Sequence, residues 1–401
     1  MGNQLLGRRS VVGWPAVALI GAAFAITMLG TTLPTPLYPL YEKAFGFGEL
    51  ITTVVFAAYA VGVTAALLVF GRWSDQLGRR PMLHAGLALS GLSAIVFLLA
   101  GDLGWLVVGR VLSGLSAGIF TGTATATIVD LAPDHGKARA SLIAAAVNMG
   151  GLGAGPLLSG ILAQYAPLPL TLCFAVDLVL VMVAVAGIHA VGEPVRRADT
   201  PRLRPQKIDV PVEIRGVFTR AVIAGFAGFA VLGLFTAVSP AFLATVLHDT
   251  NHALTGAVVI SVFLASTIGQ ALSSTIGEQR ALIVGCVGLI AGMILVGASL
   301  PIRSLAVFIV GGVIAGLGQG LSFRAGLGAV TGAAPPDKRG EITSSYFVML
   351  YVGISIPVIG VGAAASAFGL IVAGVVFAAL VAILAAVALA LLGAQQVAVA
   401  R

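Results

Sequence analysis

The chain has 401 residues, of which 59% are hydrophobic and 9% are charged, and its formal net charge is +7. Soluble domains carry about a quarter of their residues as charged side chains, so this composition excludes an ordinary soluble protein and indicates a polytopic membrane protein. The two cysteines, Cys173 and Cys286, lie within apolar runs, which excludes a disulfide framework or a cysteine-based metal site.

Apolar runs long enough to cross a bilayer, which takes about 20 residues, occur twelve times along the chain. The first run follows Arg8 and Arg9, but it is too long for the apolar region of a signal peptide, so we assign it as a helix. The predicted spans are 12–38, 50–71, 81–100, 104–130, 140–165, 168–190, 219–246, 254–276, 281–299, 303–331, 342–366 and 368–393.

Basic residues are distributed unequally between the two sides of the predicted bundle. Twelve spans put both termini on one side, and 18 of the 22 Lys and Arg residues fall on that side. Only Lys43 and Arg303 fall on the other side, while Arg110 and Arg324 fall within spans. Because Lys and Arg are enriched in cytoplasmic loops, we expect cytoplasmic termini. The short loops and the Ala, Gly and Val bias further suggest a multi-pass protein of a bacterial cytoplasmic (inner) membrane. The positive charge then orients the chain and does not indicate nucleic-acid binding.

The chain divides into two similar halves. Residues 191–218 are rich in Pro and charge and are predicted to be a cytoplasmic linker between a first half, 1–190, and a second half, 219–401. The connection after span four reads APDHGKARAS, and the connection after span ten reads APPDKRGEITS. Parallel repeats of six helices are typical of transporters whose substrate site lies between the repeats.

The loop between spans two and three reads GRWSDQLGRR and is rich in charge for so apolar a chain. It matches the pattern G-x-x-x-D-x-x-G-R-R/K, so the chain resembles the major facilitator superfamily over essentially its whole length. The resemblance implies an all-α membrane protein with twelve transmembrane helices in two pseudo-symmetric six-helix halves. The residues that carry the match are Gly71, Asp75, Gly78, Arg79 and Arg80.

The same resemblance implies a gate on the cytoplasmic side. Gly71 would let helix 2 approach helix 11, and Asp75 would face the start of helix 11 near 341–345. Arg79 would pair with Asp130 at the end of helix 4. The alternative is that the arginines of this loop only determine topology. The corresponding loop of the second half, STIGEQRALI, lacks the leading Gly and the Asp, so we expect an asymmetric gate.

Span five contains NMGGLGAGPLLSG, which resembles the helix-5 motif of drug:proton antiporters within the superfamily. In this family the motif faces helix 8, and Pro156 frees one backbone carbonyl and kinks the helix. Ordinary helix packing is the alternative, but together with the loop signature the motif favours export over uptake. The matching residues are Gly151, Gly155, Pro156 and Gly160, with Ser159 in place of a further Gly.

Two charged residues inside spans are candidates for proton coupling. Arg110 resembles the arginine of the R-x-x-x-G motif of proton-coupled members, with Gly114 as its glycine, and is implied to perturb proton affinity. Asp177 is the only acid near the middle of a predicted span, which makes it a candidate proton carrier. The alternatives are that Arg110 extends outward to water and that Asp177 is a buried structural residue.

The favoured function is a proton-coupled exporter of small amphipathic compounds such as antibiotics, working by alternating access as a monomer. It would use the proton gradient and no cofactor or metal, and we find no cluster of catalytic groups typical of an enzyme. A proton-linked nutrient importer or an exporter of an anionic metabolite is the second interpretation. The substrate-binding candidates are Arg324, Gln319, Gln270, Asn148, Tyr59, Tyr346 and Tyr351.

Overall fold

The structure is a computed structural model that describes residues 11–195, 200, 205–206, 208–335 and 338–399. The described residues form helices and short connections, and their only extended pairing is an isolated bridge between Val11 and Val191. Part of the predicted linker and several basic residues used to orient the chain lie outside the described residues. These are Arg8, Arg9, Arg196, Arg197, Arg202, Arg204, Lys207 and Arg401.

Among the described residues, twelve helices are long and apolar enough to cross a membrane, which confirms the predicted number of spans and a multi-pass membrane protein. They are α1 Trp14–Thr32, α2 Glu49–Phe70, α3 Arg79–Leu98, α4 Leu103–Leu131, α5 Lys137–Tyr165, α6 Leu172–Ala190, α7 Arg215–Ala237, α8 His252–Ile276, α9 Glu278–Ser299, α10 Leu305–Ala333, α11 Arg339–Phe368 and α12 Leu370–Val399.

The first and seventh spans end differently from the prediction. After α1 the chain continues through a 3₁₀ turn, Thr35–Leu37, into a short helix, Tyr38–Phe45, so the first span is longer than 12–38. The α-helix of the seventh span stops at Ala237, and a π-helical turn, Phe242–Val246, follows Pro240. A proline in the helix interior removes one intrahelical hydrogen bond, which explains the break before Pro240.

The two sets of six helices repeat the same packing. In the first half α1 packs on α5, α2 on α4, and α3 on both α4 and α6. In the second half the equivalent pairs are α7 with α11, α8 with α10, and α9 with both α10 and α12. The halves meet along two equivalent pairs, α5 with α8 and α2 with α11. The interface between halves is therefore built from four long helices.

We call the end of the bundle that carries the loop 71–78 and the linker the inner end, and the opposite end the outer end. At the outer end the halves are in close contact. Gly160 of α5 lies against the backbone of His252 in α8, and Gly362 of α11 lies against the side chain of Thr53 in α2. A side chain at either glycine would overlap these atoms, so the outer end depends on tight packing of small residues.

Candidate functional site

A large cavity lies between the inner ends of the two halves. Its volume is about 740 Å³, and residues of both halves line it. The first half contributes residues of α2, α4 and α5, and the second half contributes residues of α8, α10 and α11. A cavity of this size at the interface between repeats fits a small organic ligand.

A second, much smaller pocket lies at the centre of the bundle, and its volume is about 50 Å³. The inner cavity and this central pocket share four wall residues and are therefore adjacent. The shared residues are Thr121, Asn148, Phe323 and Phe347. Three predicted site residues, Arg110, Tyr59 and Tyr351, line only the central pocket. Tyr59 of α2 and Tyr351 of α11 meet across the two halves, with ring centroids 6.3 Å apart.

The loop predicted to form the gate carries a network of ion pairs. Arg79 contacts Asp75 at 2.6 Å and Asp130 at 3.1 Å, and it also donates to the Ser74 hydroxyl at 2.8 Å. Asp75 therefore pairs within its own loop, in contrast to the predicted contact with the start of α11. The ion pair that joins the loop to α11 is instead between Arg72 and Glu341, at 3.4 Å. Whether these contacts gate the cavity stays a prediction.

The two glycines of the loop have different local roles. Gly78 has a φ of 100°, a backbone conformation that glycine adopts without strain, and it lies directly before α3. At Gly71 a Cβ atom would lie 2.6 Å from the Gln206 side chain amide. The Leu67 carbonyl oxygen of α2 is nearer still, at 2.5 Å. The close neighbours of Gly71 thus lie in α2 and in the linker, and not in α11 as expected. The Gln206 backbone N–H also donates to the Leu68 carbonyl at 2.6 Å.

Glu193, which the sequence analysis missed, caps the start of α3. Its carboxylate accepts from the backbone N–H of Arg79 at 2.8 Å and from that of Arg80 at 3.0 Å. An acid at a helix N-terminus is stabilised by the helix dipole and satisfies otherwise unpaired N–H groups. The Arg80 guanidinium donates to the His189 carbonyl at 3.2 Å. The end of α6 and the start of the linker are thus fastened to the loop.

The glycines of the helix-5 motif face two different helices. Gly151 and Gly155 lie against α1, where a Cβ on Gly151 would be 2.5 Å from the Ala25 carbonyl. Pro156 and Gly160 lie against α8, where a Cβ on Gly256 would overlap the Pro156 carbonyl oxygen. The expectation that the motif faces helix 8 is therefore correct for Pro156 and Gly160 and wrong for Gly151 and Gly155.

The carbonyl freed by Pro156 has a specific partner. Pro156 has no N–H, so the carbonyl of Leu152, four residues earlier, loses its donor within α5. The hydroxyl of Thr32, at the end of α1, donates to this carbonyl at 2.8 Å. A hydrogen bond between helices thus replaces the one that proline removes.

Asp177 lies in α6 and faces α1, away from both cavities. It is 2% exposed, and a Cβ on Gly30 would lie 2.7 Å from its Oδ2 atom. Its Oδ1 atom has no hydrogen-bond partner among the described residues. The side chain turns into the first half, as a polar group in an apolar bilayer should. Its position does not reveal whether it carries a proton, which remains a prediction.

Of the polar substrate-binding candidates, Arg324, Gln270 and Asn148 line the inner cavity, but Gln319 does not. Arg324 of α10 donates to the Ser141 hydroxyl of α5 at 3.1 Å, across the two halves. Gln319 is fully buried and accepts from Ser266 of α8 at 2.5 Å, so it joins helices of the second half. The substrate role predicted for Gln319 therefore has no support in its position.

Tyr346 also lies outside both cavities. It is fully buried, and its hydroxyl packs against Gly225 of α7 and Gly326 of α10. The next residue, Phe347, lines both cavities instead. On a helix, consecutive residues point in directions about 100° apart, since one turn takes 3.6 residues. The aromatic group at this level of the cavity is therefore Phe347.

Two acids near the outer end, Glu42 and Glu49, fall between the predicted spans 12–38 and 50–71. Glu42, in the helix that extends the first span, accepts a hydrogen bond from Thr52. Glu42 and Glu49 line a small crevice whose opposite wall, from the second half, includes Val238 and Val361. Because the chain continues as a helix beyond the prolines of the first span, these carboxylates lie at the interface of the halves.

Comparison with known proteins agrees with this architecture. The family model described as Major Facilitator Superfamily matches residues 20–358. The chain is similar to the quinolone resistance protein NorA of Staphylococcus aureus, with 27% identity over 220 residues, 53% of this chain and 56% of NorA. It is also similar to the puromycin resistance protein pur8 of Streptomyces alboniger, with 27% identity over 204 residues, 51% of this chain and 39% of pur8. These alignments span about half the length of the relatives or less.

Two solved structures share the fold. One is a bacterial homologue of the human lysosomal transporter Spinster, in an inward-facing and unoccupied conformation, with a TM-score of 0.72 and 16% identity, covering 94% of this chain and 96% of that one. The other is the human organic anion transporter MFSD10 (TETRAN), with a TM-score of 0.69 and 16% identity, covering 94% and 99%. At such identity the likeness concerns the fold alone. With the family match over most of the chain, it follows that the protein belongs to the Major Facilitator Superfamily and is a membrane transporter, not an enzyme.

Proposed function

We propose that this transporter is a proton-coupled exporter of small amphipathic compounds, such as antibiotics, in a bacterial cytoplasmic membrane. The observation that carries the proposal is the inner cavity of about 740 Å³, which both halves line while their outer ends are packed together. A cavity closed at one end and lined by two repeats is what alternating access requires. With both termini cytoplasmic, the cavity would collect its substrate from the cytoplasm.

The chemistry of the cavity walls supports an amphipathic substrate. Apolar and aromatic side chains such as Phe70, Phe323 and Phe347 alternate with polar groups such as Asn148 and Gln270. Aromatic walls bind the body of a ligand, and a few polar groups fix its orientation. The names of the two resistance proteins agree with this choice, although each alignment covers only part of those proteins.

The movement would turn the first half, 1–190, against the second half, 219–401, with 191–218 as the linker between them. Arg79, Asp75 and Asp130 would stiffen the loop of the first half, and Arg72 with Glu341 would join it to α11. Breaking the bridge to α11 would widen the inner mouth. A single chain contains both halves and would therefore be the functional unit.

The energy source would be protons that enter from outside, with Asp177 as the carrier. Asp177 is buried in the first half next to α1, one of the helices that pack against α5 at the interface. A carboxyl group that binds and releases a proton would change the charge buried in this half. Since burying an unpaired charge is costly, each protonation state would favour a different arrangement of the helices.

The experiment is transport by the purified protein in liposomes that contain a pH-sensitive dye. A proton gradient is imposed, and lipophilic cations, neutral antibiotics and organic anions are added in turn. Proton flux opposite to a compound supports antiport and export. Flux in the same direction would contradict export and support a proton-linked importer. Asp177→Asn should abolish gradient-driven transport, and full transport by this variant would remove Asp177 as carrier.

A second candidate, an exporter of an anionic metabolite, is favoured by two cations. Arg110 lines the central pocket and Arg324 lines the inner cavity. In the liposome experiment this candidate predicts proton flux with the organic anions and none with the lipophilic cations.

A further inference from the structure

Arg110 carries a buried positive charge that has no acidic partner in the part of the chain that the structure describes. It is 2% exposed, and none of the ion pairs among the described residues includes it. The guanidinium donates to the backbone carbonyls of Thr31 at 2.5 Å and of Phe56 at 3.4 Å. It also lies over the rings of Phe56 and Tyr59, 5.4 and 4.7 Å from their centroids. These partners hold the side chain in place, but none of them carries a formal negative charge.

The charge of Arg110 persists whatever the surroundings. An arginine does not lose its proton in proteins, so burial cannot neutralise the group as it can a lysine or a carboxyl. The Nε atom of Arg110 is buried and has no hydrogen-bond partner among the described residues. A buried positive charge at the wall of a pocket attracts a small anion, because that anion supplies the missing opposite charge.

The size of the central pocket matches the charged end of a ligand rather than a whole ligand. It holds about 50 Å³, whereas one water molecule takes up about 30 Å³ of liquid. The adjoining inner cavity holds about 740 Å³ and shares Phe323 and Phe347 with it. A ligand can therefore lie with a small head group in the central pocket and an apolar body between these aromatic side chains.

The geometry points to an anion subsite at Arg110 that binds the carboxylate of an aromatic or otherwise amphipathic substrate, whose body lies in the inner cavity. Asn148, which lines both spaces, contributes an amide at the boundary between head group and body. The inference rests on the proposed function and names the class of substrate for the same cavity. Lys43 is exposed and lines neither cavity, so it serves as the control cation outside the subsite.

The test is equilibrium binding of three radiolabelled probes to the purified protein: 2-naphthoate, the neutral 2-naphthamide and the cationic 2-naphthylmethylammonium. We expect wild type to prefer naphthoate. Hydrogen bonds to charged groups contribute about 1.5–3 kcal/mol, so Arg110→Gln should weaken naphthoate binding about 10- to 150-fold. The same variant should leave naphthamide binding nearly unchanged. Lys43→Gln, which removes a cation outside both cavities, should retain the preference for naphthoate.

A second variant avoids removing Arg110. Asn148→Asp places a carboxylate in the same pocket, where it competes with the ligand for the guanidinium. We expect this variant to lose naphthoate binding and keep naphthamide binding. Retention of naphthoate binding by Asn148→Asp would count against the subsite.

Two further outcomes overturn the subsite. One is equal binding of the three probes, or none, by wild type. The other is equal weakening of all three by Arg110→Gln, which indicates a structural or proton-coupling role. Gradient-driven movement of naphthamide or of the amine would then still support the proposed exporter. Conversely, Arg110-dependent binding of naphthoate without gradient-driven transport would support the subsite and contradict the exporter.

Discussion

The hydrogen bond from Thr32 to the carbonyl freed by Pro156 provides a sharp test of how the helix-5 motif is held. Thr32→Val keeps the shape of the side chain but removes the hydroxyl that donates to Leu152 at 2.8 Å. Thr32 is only 6% exposed, so water is a poor substitute for the lost donor. In a Pro156→Ala background the new backbone N–H of residue 156 can reach the Leu152 carbonyl within α5. The hydroxyl is then no longer needed.

The expected magnitude follows from the environment of this carbonyl. Hydrogen bonds between membrane helices contribute about 0.6 kcal/mol on average and up to about 1.7 kcal/mol. A buried acceptor left without a partner costs about 1–3 kcal/mol. We therefore expect Thr32→Val to lower the free energy of unfolding by about 1–2 kcal/mol in wild type. In the Pro156→Ala background the loss should fall below about 0.5 kcal/mol, since a backbone donor has replaced the hydroxyl.

The assay is unfolding in mixed detergent micelles, followed with a thiol-reactive fluorescent dye. Cys173 and Cys286 are 1% and 0% exposed, so the dye reacts only when the helices separate. Thr27→Val is the matched control, because the Thr27 hydroxyl donates to the Ala23 carbonyl of its own helix. A loss of equal size in both backgrounds would refute the assignment of the Thr32 hydroxyl to the freed carbonyl.

Two further changes test the loop and the buried acid. Arg72→Gln removes the bridge to Glu341, whose partners are 52% and 25% exposed. Exposed ion pairs contribute about 0.2–1 kcal/mol. Spin-label distances should therefore show that the ratio of the state with a wider inner mouth to the narrower state rises about 1.4- to 5-fold. The double variant Arg72→Glu with Glu341→Arg should restore the wild-type distances. An unchanged distance distribution in Arg72→Gln would contradict a role of this bridge. Gly30→Ala places a methyl group 2.7 Å from Asp177 Oδ2. In Gly21→Ala the nearest atom, on the Val147 side chain, is 3.8 Å from the new methyl group. We expect the former to destabilise the protein by about 1–3 kcal/mol and the latter to have little effect in the dye assay. Equal stability of the two variants would mean that Asp177 moves aside freely.

The number of spans could be predicted because crossing a bilayer requires a minimum apolar length that is visible in the sequence. Their ends could not be predicted as well. The prolines at 34, 36 and 39 suggest the end of a helix, but a 3₁₀ turn carries the first span on to Phe45. Glu42 therefore falls outside the predicted span 12–38, although it lies in the helix that extends this span.

The sequence could not predict which side chains of a membrane helix face the cavity, and the reason is physical. A soluble helix has an apolar and a polar face, which reveals its buried side. A membrane helix is apolar all round, so Gln319 and Asn148 are equally plausible cavity residues in the sequence. Only packing shows that Asn148 lines the cavity while Gln319 bonds to Ser266. The contact of Gly71 with Gln206 is likewise invisible, because the two residues are far apart in the chain.

The asymmetry of the inner end bears on how easily the two halves could separate. The first half has Asp75, Arg79 and Asp130 in one network, whereas in the second half α9 begins at Glu278 directly after Gly277. Among the described residues, the ion pair between Arg72 and Glu341 joins this loop to α11, and such a half-exposed pair contributes at most about 1 kcal/mol. A ligand shifts a two-state equilibrium by its difference in affinity for the two states, and a tenfold difference corresponds to about 1.4 kcal/mol. A modest preference of substrate or proton for one arrangement therefore suffices to overcome this contact. The network inside the first half can remain intact while the halves move.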